Sequence, residues 1–181
     1  MVTVLEPEVD KKQLLKLDLG CGENKKEGFR GVDLFAAADE KVDLTQFPWP
    51  WADCSVEEIF CSHFFEHIAG PQRIPFMDEC YRILIPKGKM TIIVPYWSSP
   101  RAIQDPMHMW PPVAESSFLY FDKGWREANK LTHYLGTCDF EFSYGYSLDP
   151  ETALKTQDVQ YFHVKHYINA VSDMQVNLTK R

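Results

Sequence analysis

The apolar positions of this chain fall into short blocks whose spacing differs from block to block. "LLKLDLGCG" (14–22) is an apolar run that stops at glycines, the pattern of a strand entering a turn. "GFRGVDLF" (28–35) predicts a second short strand ending in an acid, "KVD" (41–43) a third, and "VEEIFCSH" (56–63) a fourth. "FPWPWADCS" (47–55) is turn-rich, because Pro48 and Pro50 forbid regular structure. Ile74, Met77, Tyr81 and Leu84 recur at helical spacing, and "PKGK" (86–89) stops the helix they predict. "MTIIVP" (90–95) is β-branched and uninterrupted, as a buried strand is. Residues 96–114 are rich in proline and lack periodicity, which predicts a long loop of the kind that is often functional. A helix is expected from about Glu115 to Leu135. "FEFSYGYSL" (140–148) and "VQYFHVKHYI" (159–168) predict two terminal strands paired antiparallel.

Strands separated by loops and helices give an α/β sheet. The polar segment 1–13 reads as a flexible N-terminal extension and 14–181 as a single domain, divided into a half from 14–95 and a half from 96–181. No repeat or low-complexity tract breaks the 181 residues. A hydrophobic share of 45% and a charged share of 25% are ordinary for a globular domain. The aromatic share, 14%, is high and concentrates in 96–167, where it builds either an aromatic-lined pocket or a thick core. A net charge of −7 without a long basic run counts against a nucleic-acid partner. The five cysteines are odd in number and lack a C-x-x-C pair, so a disulfide scaffold or four-cysteine zinc site fits poorly and a cytoplasmic protein with reduced thiols is expected. No signal peptide and no membrane span are expected. The oligomeric state is left open.

The strongest chemistry lies in "LDLGCGENKKEGFRGVD". A strand delivers Asp18, the chain turns through Gly20 and Gly22, and Asp33 ends the next strand. Glycine accepts positive φ and lets a ligand approach the backbone. An acid at the end of the second strand accepts hydrogen bonds from ribose hydroxyls in nucleotide-binding sheets. The dinucleotide fingerprint G-x-G-x-x-G is absent, because Asn24 and Lys25 stand where a third glycine is needed. Asp18 and Glu23 would also repel a pyrophosphate. A cofactor with a ribose and a positive amino group, but no phosphate, suits the loop better.

In this order, "LDLGCG", "GVDLF", "VDL", "FPWPWADCSVEEIFCSHFFEHI" and "ECYRILIPKGKMTIIVP" resemble the class I S-adenosylmethionine (SAM)-dependent methyltransferases from about Leu14 to Pro95. "DPMHMWPP" and "SFLYF" resemble a feature of one subgroup. The resemblance implies a Rossmann-like fold with a seven-stranded, mostly parallel sheet and an antiparallel C-terminal hairpin. With residues 20–30 alone between the first two strands, the first helix must be short or missing. The implied activity is methyl transfer from SAM, leaving S-adenosylhomocysteine (SAH), to an oxygen or nitrogen of a small-molecule or sugar-like acceptor. By the same resemblance Asp18 reaches the methionine amino group, and Gly20, Cys21 and Gly22 pass under the methionine and ribose. Asp33 with Leu34 holds the ribose, Asp43 with Leu44 meets the adenine edge, and Ser62 and His63 flank the methionine part.

His63-Phe64-Phe65-Glu66-His67 spells H-x-x-E-H, which on a helix is a zinc-peptidase arrangement. Here it follows a predicted strand and runs into Gly70-Pro71, so no metal is assigned, and a zinc metallohydrolase stands only as an alternative. A SAM- or SAH-binding module without catalysis is a second alternative. Asp105 and His108 lie in the long loop after the fifth strand, on the edge where open α/β sheets bind ligands. Histidine is the side-chain type suited to removing an acceptor proton near neutral pH, which makes His108 a candidate base with Asp105 as its companion. Tyr96, Trp97 and Trp110 are placed to stack on an acceptor or to pack as core or lid. His163 and His166, on a predicted strand, would face opposite sides and share no metal.

Overall fold

The first apolar run becomes β1 (Leu15–Leu19), whose Leu17 and Leu19 are fully buried. A computed structural model of the chain describes residues 14–35, 37–131, 133–134 and 136–181, and the expected N-terminal extension 1–13 lies outside the described residues. β1 pairs in parallel with β2 (Arg30–Val32) on one side and with β3 (Val56–Ser62) on the other. β3 pairs in parallel with β4 (Leu84–Pro95). β4 pairs antiparallel with β6 (Val171–Lys180), which pairs antiparallel with β5 (Phe140–Leu148). The sheet order is β2-β1-β3-β4-β6-β5.

The sheet therefore has six strands rather than the seven expected. The predicted third strand at 41–43 shrinks to one bridge between Val32 and Glu40. The chain cannot continue beside β2, because Asp43 Oδ1 accepts from Thr45 N at 2.9 Å and from Thr45 Oγ1 at 2.6 Å, bending it into a turn. No helix forms between β1 and β2, in keeping with the short connection. Those residues fold into turns, held where Asp18 Oδ2 accepts from Lys26 N at 2.7 Å.

One face of the sheet carries the core. Leu17, Leu19, Ile59, Cys61, Met90, Ile92, Met174, Val176 and Leu178 are at most 1% exposed. They meet Phe76, Met77, Cys80 and Ile83 of α1 (Arg73–Ile83), the helix expected from its apolar spacing. Phe65 and Phe118 stack with ring centres 5.9 Å apart beside that helix, and Phe65 also packs 5.8 Å from Phe76. The other face is polar along most of its length: Lys16 pairs with Glu58 at 3.0 Å, and Lys89, Asn177 and Ser143 are exposed. The alternation of buried and exposed residues in β4 and β6 is what a sheet covered on one side requires. Over β1 and β3, the turn at 23–29 covers part of this face, with Lys26 Nζ 3.9 Å from the Phe60 ring centre.

Three further expectations are corrected. β4 starts at Leu84, so "PKGK" lies within the strand, with Lys87 at φ 65° and a register shift between Val56 and Glu58. The single helix expected at 115–135 is instead a 3-10 segment (Glu115–Phe121) and a short helix, Lys123–Ala128. Asp122 breaks it: its backbone is extended, and its side chain accepts from Trp125 N at 2.9 Å to start a new helix. The buried Arg126 then donates to Tyr120 O (2.8 Å), Gly136 O (3.2 Å) and Cys138 O (2.8 Å), fixing the return to β5. The predicted strand at 159–168 is instead the helix Gln157–His166, and the partner of β5 is 171–180. The helix has Asp158 in its first turn and His163, Lys165 and His166 in its last, each complementing the dipole.

Of the five cysteines, Cys21, Cys61, Cys80 and Cys138 are buried, Cys54 is exposed, and none forms a disulfide. Among the described residues no helix is long and apolar enough to cross a membrane.

The end of β6 anchors the end of α1. Lys180 Nζ donates to Tyr81 O at 2.6 Å and to Leu84 O at 2.7 Å while only 8% exposed. Lys180→Met should leave both carbonyls without that donor and cost about 2–4 kcal/mol of stability, from about 1–3 kcal/mol per buried unsatisfied group. Urea denaturation measures this, and a loss under about 0.5 kcal/mol would show that the anchor contributes nothing net.

Candidate active site

The strand order reverses beside β1: β2 lies on one side, and β3 with β4 on the other. In open α/β sheets a ligand binds in the crevice beyond the carboxyl ends at this reversal. The loop after β1 (Gly20–Gly22) and the loop after β3 (His63–Phe64) meet there. Gly20 has φ +71°, and a Cβ on it would overlap the Phe64 ring, so the two loops close together only because residue 20 is glycine. Gly22 has φ +52° and faces open space, with no atom within 4 Å of where a Cβ would stand. Its N–H donates to Asp33 Oδ2 at 2.9 Å, tying the glycine loop to the acid that follows β2. An open, glycine-floored crevice with an acid at its second strand fits a cofactor carrying a ribose.

The cofactor residues named from the sequence separate into groups. Gly20, Cys21, Gly22 and Asp33 come together at the crevice, and Ser62 and His63 reach it from β3. His63 holds φ 54°, and its N–H donates to Ile93 O at 2.8 Å. Cys21 is buried, its thiol pushed upward by burial and by the nearby Asp18 and Asp33. Asp18 is 2% exposed and its carboxylate already accepts from Lys26 N, so it holds the loop from beneath. Burial raises its pKa, and the Lys26 hydrogen bond opposes the shift. Leu34 is exposed, next to Asp33. Asp43 and Leu44 join neither cluster through their side chains: Asp43 caps the Thr45 turn, which lowers its pKa, and Leu44 is core.

A second cluster lies at the ends of β3 and β4. His63, Glu66, His67, Asp105 and His108 share a cavity of about 280 Å³ with Arg101. His108 Nδ1 lies 3.2 Å from Ala102 O, and its Nε2 lies 3.7 Å from Asp105 Oδ2. The two residues named as catalytic candidates are thus neighbours. His63 Nδ1 is 3.3 Å from Glu66 Oε1, and that carboxylate raises the His63 pKa while burial opposes it. The H-x-x-E-H string does not form a zinc-peptidase helix, because it spans the end of β3 and a 3-10 turn (Phe65–His67).

Arg73 brings this cluster together, and the sequence reading passed over it. It is 5% exposed and donates to Ile68 O (3.0 Å), Met109 O (3.2 Å) and Pro111 O (2.7 Å). It joins the turn after β3 to the proline-rich loop after β4, and Met109 N adds a bond to Glu66 O at 2.9 Å. Burial pushes its pKa down to about 10 against the pull of Glu66, which leaves it charged near neutral pH. An arginine at the first turn of an amphipathic helix gives no sequence signal of such a role.

The aromatic half of the chain supplies both a core and a cavity. Phe118, Phe121 and Phe140 are core. Tyr96, Trp97, Tyr144, Tyr146 and Tyr161 line a cavity of about 540 Å³ with Glu115, which accepts from Tyr146 Oη at 3.1 Å. Tyr96 follows β4, so this cavity also opens at the carboxyl edge. Trp110 is 81% exposed and lines neither cavity. His163 and His166 lie on a helix and so share a side, contrary to expectation, and His163 Nδ1 meets Thr152 Oγ1 at 3.0 Å.

These features define an α/β domain with an open, glycine-floored crevice at the reversal of its strand order. Residues 17–92 match the family model described as a methyltransferase domain. The fold is shared with a SAM-dependent methyltransferase from Archaeoglobus fulgidus, at TM-score 0.61 and 18% identity, covering 93% of this chain and 87% of that one. It is shared also with a geranyl diphosphate C-methyltransferase from Streptomyces coelicolor A3(2), at TM-score 0.52 and 14% identity, covering 94% and 73%. A SAM-dependent methyltransferase from Mesorhizobium loti aligns at TM-score 0.53 and 14% identity, covering 92% and 91%. No curated protein sequence matches the chain. The chain thus has the fold of these methyltransferases, and its glycine-loop segment, somewhat under half of the chain, is similar to the methyltransferase-domain model.

Arg73→Met should remove the clamp between the two loops and cost about 3–5 kcal/mol, the range for removing one partner from a buried charged network. The Met109 amide should exchange with solvent faster than in the parent protein. Denaturation and hydrogen exchange measure both; a loss under about 1 kcal/mol with Met109 exchange unchanged would show that the loops are joined by other means.

Proposed function

We propose that the protein transfers the methyl group of SAM to an oxygen or nitrogen of a small molecule. The observation that carries this reading is the meeting of Gly20, Gly22, Asp33 and His63 at the carboxyl edge, with two cavities on the same edge. When bound, SAM supplies a methyl group activated by an adjacent sulfonium. Gly20, Cys21 and Gly22 floor its site, and Asp33 beside Leu34 receives the ribose hydroxyls. Asp18 sets the loop from below and draws the positive amino group, through the field of its carboxylate more than by direct contact. Ser62 and His63 flank the methionine part. Asp43 and Leu44 shape the adenine side through their backbone.

The body of the acceptor enters the aromatic cavity, and its reacting group turns toward the smaller cavity of His108, the two being lined by the consecutive residues Tyr96 and Pro95. The aromatic cavity's volume of about 540 Å³ falls within the roughly 300–1,000 Å³ usual for small-molecule sites. Tyrosine and tryptophan faces hold a ring or an ammonium, and Glu115 offers a hydrogen-bond acceptor. His108 receives the proton of an acceptor hydroxyl at Nε2, with its Nδ1 oriented by Ala102 O and the imidazolium stabilised by the nearby Asp105 carboxylate. A neutral amine needs no such base. Most of the rate advantage comes from holding acceptor and cofactor in line.

The test combines calorimetry with labelled SAM and an acceptor panel. SAH should bind the parent protein, and Asp33→Ala should weaken it about tenfold, the loss of roughly 1.4 kcal/mol of charge-assisted hydrogen bonding. With a hydroxyl acceptor, His108→Ala should lower kcat about 10²–10⁴-fold. No binding of SAM or SAH, or binding without turnover of any acceptor, would contradict the reading.

A further inference from the structure

Cofactor binding does not use the Glu66-His67 pair of the H-x-x-E-H string. Glu66 is 5% exposed, faces the 280 Å³ cavity, and neither of its carboxylate oxygens accepts a hydrogen bond. The half-exposed His63 imidazole stands 3.3 Å from Oε1 without forming a hydrogen bond and Oε2 has no partner, so the buried carboxylate still has room for a cation. One carboxylate oxygen of Glu66 and one ring nitrogen each of His67 and His108 lie within 4.8 Å of one another. A single ion with bonds of about 2.1 Å in tetrahedral geometry needs ligand atoms roughly 3.4 Å apart, a gap closed by small side-chain rotations. We propose that Glu66, His67 and His108 bind a divalent first-row metal ion, with Zn²⁺ the best match, and that its open position takes an oxygen of the methyl acceptor.

Further observations support the site. The Nδ1 atoms of His67 and His108 lie 3.3 Å from Met107 O and 3.2 Å from Ala102 O. A carbonyl neighbour fixes the proton on Nδ1 and leaves the Nε2 lone pair for a metal, the outer-shell pattern of metal-binding histidines. The two imidazoles are already edge to face, with ring centres 4.7 Å apart. The ligands come from two loops, and Arg73 together with the Met109 N–H to Glu66 O bond holds those loops in register. The one guanidinium in the cavity, that of Arg101, is engaged with Asp173 at 2.8 Å.

The donor set decides the ion. Two imidazoles and one carboxylate suit zinc and its first-row neighbours, whereas Mg²⁺ and Ca²⁺ favour oxygen alone. Three protein ligands leave a position for substrate, as in catalytic rather than structural zinc sites. His63 takes no part in the set, so the ligands differ from those that H-x-x-E-H would supply on a helix. The substrate part of the proposal rests on the methyl-transfer reading and sharpens it. In the metal-loaded protein the ion replaces His108 as the activating group: an acceptor hydroxyl bound to it is acidified, its proton passes to Asp105, and acceptors that ligate through oxygen are preferred.

Titration of the chelator-treated protein with Zn²⁺, Co²⁺ and Mg²⁺ tests the site, with SAH affinity and circular dichroism measured on every sample. One equivalent of Zn²⁺ should bind, Co²⁺ should give a visible absorption band, and Mg²⁺ should not compete. His67→Ala, whose parent side chain is exposed, and Glu66→Gln should each weaken Zn²⁺ about 100-fold, at least the loss seen for outer-shell changes, and abolish the cobalt band. SAH affinity should stay within about threefold, since neither residue belongs to the glycine crevice. Absence of stoichiometric zinc in the parent, or zinc binding that survives both substitutions in folded protein, would overturn the proposal. Zinc bound as described by a protein that fails to bind SAH would instead leave the metal site standing and sink the methyl-transfer reading.

Discussion

The geometry of the active edge depends on one buried guanidinium. Arg73 stands at the start of α1, where the first turn of a helix usually prefers an acid, and it is nearly inaccessible to solvent. What offsets that position is three carbonyl oxygens from two loops, one after β3 and one after β4. Without it those carbonyls would lack their shared donor, and the Met109 N to Glu66 O bond would be left to hold Glu66 beside the loop that carries Asp105 and His108. The 3-10 turn and the proline-rich loop each hold their own shape by internal bonds, such as His67 N to Phe64 O at 2.9 Å and His108 N to Asp105 O at 3.1 Å, and Arg73 ties the one to the other.

The second constraint is the half-covered sheet. A parallel sheet is ordinarily buried on both faces, and helices in its crossovers do the burying. Here β1 passes to β2 through a tight turn, and the exposed face is managed by charge: Lys16 with Glu58, Lys26 over Phe60, and polar residues along β4 and β6. The shorter crossover brings the Asp18–Lys26 hydrogen bond directly beneath the glycine loop. In this fold Asp18 is a loop-setting residue before it is a ligand contact. The cost of burying it is offset by the Lys26 amide, and the crevice above it stays open at Gly22.

The sequence was most legible where pattern and tertiary role agree. β1, β3, α1 and β4 stand close to the positions their apolar spacing predicts, and the Gly20, Gly22 and Asp33 constellation assembles in space as it does in sequence. The errors have physical causes. Gln157–His166 is rich in Val, Tyr and Phe and reads as a strand, yet none of its residues is buried, so aromatic content misled where the Asp158-to-His166 charge gradient was the better guide. β6 was overlooked although Met174, Val176 and Leu178 alternate, because Ser172, Asp173, Gln175 and Asn177 dilute its apolar content. The third strand failed because Asp43 turns the chain at once. In the site, Asp105 and His108 were legible from loop position alone. Arg73 and the burial of Glu66 were not, since both follow from contacts between segments distant in sequence.

The central claim is that the reversal of strand order beside β1, floored by glycine and walled by Phe64, is where the cofactor binds. Backbone amide chemical shifts followed during titration with SAH test it directly. The account predicts that the largest changes fall on Gly20, Cys21, Gly22, Leu34 and His63, while Lys89, Ser143 and Asn177 on the open face stay still. Shifts confined to the open face or to the Gln157–His166 helix, with the glycine loop unmoved, would contradict it.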